Sequence, residues 1–322
     1  MADAQIALAP LGFGCAQLFR LHSSREREAV LAAAYDTGIR HFDVAPLYGL
    51  GEAEAELGRF LQGKRDSVTV TTKFGLEPAA AMSAVRSFQG LARRLVGAFP
   101  PVKRFFQKRR RPLAGRQAFD ATTAERSLDR SLRLLKVEQL DYFLLHEPTV
   151  ELIDRDRPMD FLRREQDRGR IRNFGVAGPA EHLTALIERY RGLAAVIQSP
   201  ACALGEERPG FGQPPDGVSF VYGSIAPRIT GIEAILGACP AAHDEWLRRF
   251  GSESVSGRTG LARLLLVEQR IATPRSTVLF GTTSPSHVGD MARLLSAPEQ
   301  EAATWIRTWA KQATDKQGSQ YG

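Results

Sequence analysis

The chain has 322 residues, 43% hydrophobic and 25% charged, with a net charge of +7 and three cysteines. That length supports one large or two ordinary globular units, and the balance of apolar and charged residues disfavours disorder, collagen and coiled coil. No run approaches the ~18 apolar residues of a membrane span, and the opening MADAQIALAP lacks the basic region of a secretory signal. Cys15, Cys202 and Cys239 lie far apart without a CxxC pair, so a cytoplasmic protein with neither disulfide framework nor metal site is expected.

In chain order, strands are predicted at Leu11–Gly14, His41–Ala45, Val68–Lys73, Tyr142–His146, Asn173–Ala177, Ala195–Ser199, Ser219–Gly223 and Thr277–Gly281. Most are continuous apolar runs, which suits parallel strands covered on both faces. Amphipathic stretches separate them. Ser23-Ser-Arg-Glu26 and Thr122-Thr-Ala-Glu125 read as capping boxes opening helices, and Gly38 and Gly169 read as helix ends. Eight strands alternating with helices predict a single-domain (β/α)8 TIM barrel over residues 1–322. A doubly wound sheet would normally carry GxGxxG after its first strand, and both GFGCAQ and GLGEAE lack the third glycine.

Two segments break the rhythm. Residues 76–120, after the third strand, are too long for one crossover and read as an insertion. Residues 78–119 hold ten Lys or Arg and no acid, so the rest of the chain carries −3. Phe99, Phe105 and Phe106 are interleaved with those charges. The expectation is a surface insertion, with guidance of an anionic or bulky substrate as its sharper reading, and no nucleic-acid motif accompanies it. Residues 201–217 contain seven Gly or Pro and are expected to form a loop rather than a helix.

Barrel enzymes place reactive groups at the C-terminal ends of their strands. Those positions give Asp43, Tyr48 just after it, Lys73 and His146. A buried strand-end carboxylate needs a cationic or hydrogen-bonding partner. No GxSxG elbow and no HxH or HExxH pair is present, which argues against hydrolase chemistry and a metal site.

The stretches FDVAPLYGLGEAEAELGRFL, VTTKFG, SLRLLKVEQLDYFLLHEP, GRIRNFGVAG, AVIQSP and VLFGTTSPSHVGDM resemble the aldo-keto reductase superfamily over nearly the whole chain. The resemblance implies a catalytic tetrad of Asp43, Tyr48, Lys73 and His146 and an NADP(H) or NAD(H) cofactor. It also implies interconversion of a small carbonyl compound and its alcohol. In that chemistry hydride addition leaves charge on oxygen and needs a placed proton donor. Tyr48 would be that donor, with Lys73 expected to lower its pKa, Asp43 to hold Lys73, and His146 to orient the carbonyl. By the same resemblance, Tyr222 would stack on the nicotinamide and Gln198 would bind its carboxamide. Ser224, Gly281, Thr282, Thr283, Ser284, His287 and Asp290 would line the rest of the dinucleotide. Three positions depart from the family: Ala177-Gly178 replaces a Ser-Asn pair, the residues around His287 lack the usual basic partner of a 2′-phosphate, and Met291 replaces an Asn. The same acid–base residues would also serve a cofactor-independent lyase or isomerase, and a nicotinamide-binding regulatory subunit is a third alternative.

Overall fold

The computed structural model describes residues 10–76, 117–206, 210–211, 214–251, 258–293 and 297–318. The predicted basic insertion falls almost wholly on 77–116, outside the described residues.

Eight parallel strands close in sequential order into a barrel. They are β1 (Leu11–Gly14), β2 (His41–Asp43), β3 (Thr69–Phe74), β4 (Leu140–His146), β5 (Ile171–Ala177), β6 (Val196–Pro200), β7 (Val218–Tyr222) and β8 (Thr277–Phe280). β8 pairs with β1 to complete the ring, with Val278 opposite Leu11 and Phe280 opposite Phe13. The order and number of strands are those expected. Most of their boundaries differ by one or two residues.

The period of two along each strand divides the apolar residues between two cores. Phe13, Phe42, Val70, Phe143, Val176 and Val278 belong to the larger cluster, where the sheet packs against the surrounding helices. Tyr142, Leu144, Ala177, Val196, Phe220 and Leu279 form a separate cluster inside the ring. Burying a side chain the size of Phe143 contributes about 1.5–3 kcal/mol, so the outward rows supply much of the cohesion. Gly175 on β5 marks a close approach: a Cβ there would lie 1.9 Å from the Val196 carbonyl oxygen.

Helix α1 (Ser24–Asp36) begins with the expected capping box, Ser23 and Glu26 each satisfying the other's backbone N–H. The second predicted box is corrected. The next long helix, Ala121–Leu135, is capped by Asp120, whose carboxylate accepts from the Thr123 N–H at 3.0 Å. Asp120 has the extended φ/ψ of an N-cap, whereas Thr122 is already inside the helix. Gly38 and Gly169 follow helix ends with φ of +92° and +75°, a conformation that glycine adopts without Cβ strain. The described parts of 201–217 contain no helix.

A buried polar layer lies below the mouth of the barrel. His41 stacks on Phe220 with ring centres 4.3 Å apart, and its Nδ1 and Nε2 lie 2.9 and 3.3 Å from the hydroxyls of Thr69 and Thr71. Burial, and secondarily the charge of Lys73, lowers its pKa to about 3. The native core therefore refuses a proton that the unfolded chain binds near pH 6.5. Stability is expected to fall as pH drops from about 6.5 towards 3, because only the unfolded state gains that proton across the window. Urea denaturation at a series of pH values should show a shallower decline for His41→Leu; an unchanged slope would remove His41 from the acid response.

Candidate active site

β2 and β3 are register partners, with Asp43 opposite Thr71, and their inward positions bring Asp43 and Lys73 together at the C-terminal end of the ring. Lys73 Nζ donates to Asp43 Oδ1 at 2.7 Å and to the Val44 carbonyl at 3.1 Å. Both side chains are buried, at 2% and 5% exposure, so this ion pair is shielded from the screening that weakens surface pairs. After β2 the chain turns through Pro46 and Leu47 into a short 3₁₀ helix that starts at Tyr48. That turn lays the Tyr48 ring over the ammonium, with Lys73 Nζ 5.2 Å from the ring centre. His146 ends β4 opposite Ala177 of β5. Its Nδ1 is buried without a hydrogen-bond partner among the described residues.

The electrostatics correct one expectation. The Tyr48 phenol is pushed well above its usual pKa, first by burial, then by the negative charge of Asp43, with Cys15 and Glu147 adding to it. Lowering by Lys73 was expected. In this geometry the ammonium is held directly by Asp43, and desolvation of the phenol dominates. Tyr48 is therefore a protonated O–H donor. Burial, then the Lys73 charge, lowers the pKa of His146 to about 3, so its imidazole is neutral near pH 7, with one nitrogen donating and the other accepting.

The residues expected to hold a dinucleotide divide into two groups. Gln198, on β6, is brought directly to Asp43: its Nε2 donates to Asp43 Oδ1 at 2.9 Å, and its Oε1 is buried without a partner among the described residues. Tyr222 ends β7 half-buried, its phenol raised to about 12 by burial and then by Glu147. Ser224, just beyond it, is 1% exposed, with its Oγ unpartnered among the described residues. The second group is the turn from β8 into the helix Pro285–Ala292. There the Ser284 N–H donates to Thr282 Oγ1 at 3.2 Å, and the hydroxyls of Ser284 and Ser286 lie 2.8 Å apart. Gly281 is needed for a close approach, since a Cβ there would sit 2.6 Å from the Gly14 carbonyl oxygen. Thr283 is half-buried, and His287 and Asp290 are exposed. Met291, in contrast, is a core residue. At the Ala177-Gly178 departure the backbone is already engaged, Glu147 N–H donating to Ala177 O and Gly178 N–H to Gln198 O.

A buried polar atom left unpaired costs about 1–3 kcal/mol. Gln198 Oε1 and Ser224 Oγ are such atoms at the strand ends, one an acceptor and the other able to donate or accept. That donor and acceptor set fits the carboxamide end of a nicotinamide, and the hydroxyl-rich turn at 282–286 fits an anionic phosphate.

Two residues at the mouth had no sequence signal. Cys15, directly after β1, is fully buried, and its thiol is pushed up by burial and by the Asp43 charge. Glu147 follows His146 with a left-handed φ of +53°, and its carbonyl accepts from Gln117 Nε2 at 3.0 Å. The dipeptide His-Glu says nothing of that turn.

Residues 10–202 match the model of the Aldo/keto reductase family. The chain is 53% identical over 78 residues to a D-threo-aldose 1-dehydrogenase of a Pseudomonas species, covering 23% of this chain and 24% of that one. The aligned parts span between about a fifth and about half the length of the curated relatives. Among solved structures, a glycerol dehydrogenase from Gluconobacter oxydans shares the fold, with a TM-score of 0.63 at 19% identity over 95% of each chain. An aldo-keto reductase from Klebsiella pneumoniae in complex with NADPH superposes with a TM-score of 0.59 at 19% identity, over 93% of this chain and 91% of that one. Among the described residues, no helix is long and apolar enough to cross a membrane.

Proposed function

Because the chain belongs to the aldo/keto reductase family, we propose that it interconverts a small carbonyl compound and its alcohol using NADP(H) or NAD(H), with Tyr48 transferring the proton. The observation that carries this reading is the buried Lys73–Asp43 pair, 2.7 Å long, with its ammonium 5.2 Å from the centre of the Tyr48 ring.

Gln198, Tyr222 and Ser224 would hold the nicotinamide end of the cofactor, and Gly281, Thr282, Thr283, Ser284, His287 and Asp290 would hold the remainder. When bound, the reduced nicotinamide supplies the hydride. Tyr48 Oη gives its proton to the substrate oxygen as charge develops there, and takes it back in the alcohol-oxidising direction. The phenolate left behind lies over the ammonium of Lys73, which Asp43 holds in place by a charge-assisted bond. A neutral His146 donates a ring N–H to the same oxygen and selects its approach. The NADPH-bound neighbour supports the cofactor assignment, and the aldose dehydrogenase relative supports including aldoses among the substrates tested.

The test supplies NADPH or NADH with both hydrogens of the dihydronicotinamide C4 replaced by deuterium, together with a panel of aldehydes and ketones; aldoses with the oxidised nucleotides cover the reverse direction. The expected alcohol carries one deuterium on its carbinol carbon for each nucleotide oxidised. Substrate conversion without any nucleotide would replace this reading with the cofactor-independent acid–base enzyme. Tight nucleotide binding without turnover across the panel would replace it with the regulatory subunit.

A further inference from the structure

Gln198 and Asp43 lie on β6 and β2, four strands apart in a ring of eight, so their contact crosses the barrel. Asp43 Oδ1 receives two donors, Lys73 Nζ at 2.7 Å and Gln198 Nε2 at 2.9 Å. An ionised carboxylate only accepts, so the Gln198 amide is obliged to turn its NH₂ towards Asp43 and its carbonyl away. All three side chains are buried, where a charge-assisted bond is strong and a lost one is not replaced by bulk water. Lys73 takes its place under Tyr48 from Asp43, and Asp43 is steered from the opposite wall by Gln198.

We propose that Gln198 is a positioning residue for the proton-transfer pair, holding the Asp43 carboxylate from across the barrel so that Lys73 stays beneath Tyr48. The inference rests on the reaction proposed above. It assigns to Gln198 a role separate from any contact with a nucleotide, for which its Oε1 remains available.

The two substitutions that test it are Gln198→Glu and Gln198→Met. A protonated glutamic acid matches glutamine in shape and donates an O–H to Asp43, whereas an ionised one repels it. Two carboxylates sharing a site have one pKa strongly raised. The kcat of Gln198→Glu, taken as a ratio to wild type at each pH, is therefore expected to be low at neutral pH and to recover as pH falls. Gln198→Met should stay about 10- to 100-fold down at every pH, the effect of losing one hydrogen bond to a charged group, with little change in KM for the carbonyl substrate. A ratio for Gln198→Glu that is flat with pH, or effects confined to KM and Kd for the nucleotide, would overturn the positioning role.

Two further readouts need no turnover. Tryptophan fluorescence gives the NADPH Kd of each variant. Urea denaturation should show that Gln198→Glu matches wild type at acid pH and loses stability as pH rises through the raised native pKa, because the unfolded chain releases its proton first. Adding Asp43→Asn should shrink that pH-dependent loss to the part that burial of the new carboxyl alone causes. A loss of the same size with and without Asp43 would show that the two side chains are not coupled, and the proposal falls. Wild-type protein that turns over no carbonyl or alcohol would overturn the reaction itself, a failure distinct from a flat pH ratio in an active enzyme.

Discussion

Asp43→Ala is expected to lower the free energy of unfolding by about 3–5 kcal/mol, the usual cost of leaving a buried charge without its partner. Lys73 Nζ donates to Asp43 Oδ1 and the Val44 carbonyl beneath the Tyr48 ring, and its side chain is 2% exposed. Removing the carboxylate leaves a buried ammonium with one neutral carbonyl and an aromatic ring as its partners. The Gln198 amide loses its acceptor in the same step. A loss of this size is a large share of the 5–15 kcal/mol that holds an ordinary domain together. The cost belongs to breaking the pair and not to having one, so Asp43→Leu combined with Lys73→Met should recover most of the lost stability. That double variant should nonetheless be inactive. Urea denaturation of the two single variants and the double variant measures the first claim, and turnover measures the second. Equal stability of Asp43→Ala and wild type would mean that Lys73 finds another partner or reaches solvent, and the electrostatic basis of the site would have to be redrawn.

Much of this arrangement was legible in the sequence because it is written in local patterns. Runs such as Tyr142–His146 and Ser219–Gly223 are apolar on both faces, and only a covered parallel sheet asks for that. Each candidate residue lies near the end of such a run or a few residues beyond it, which places it at the mouth of a barrel once the ring closes. Boundaries were less legible. The box read at Thr122-x-x-Glu125 is displaced to an Asp120 cap, because the extended backbone of an N-cap lies at Asp120 and the helix has already begun at Thr122. Least legible were features that exist only across the ring. Nothing in AVIQSP announces that Gln198 will reach Asp43, 155 residues away. The direction of the Tyr48 shift depends on how deeply the phenol is buried, whereas the sequence shows only that a lysine is near. Glu147 enters through a left-handed backbone that its residue type does not require.

The second large effect concerns Tyr48→Phe. The substitution removes one oxygen, keeps the ring that packs over Lys73, and leaves the Asp43–Lys73 bond in place. Stability and dinucleotide affinity should change little. The proposed proton donor is gone, and placed general acids contribute about 10²–10⁴-fold to turnover. Neighbouring groups supply no ready substitute: the pKa of His146 is lowered to about 3, so it holds no extra proton near pH 7, and the Lys73 ammonium is already committed to Asp43 and the Val44 carbonyl. The most direct measurement is kcat for carbonyl reduction by Tyr48→Phe at saturating nucleotide, with the NADPH Kd of the same preparation taken by fluorescence. Turnover reduced by at least about 10²-fold with an unchanged Kd is the predicted result. Turnover within a few-fold of wild type would show that the proton comes from elsewhere and would contradict the role given to this phenol.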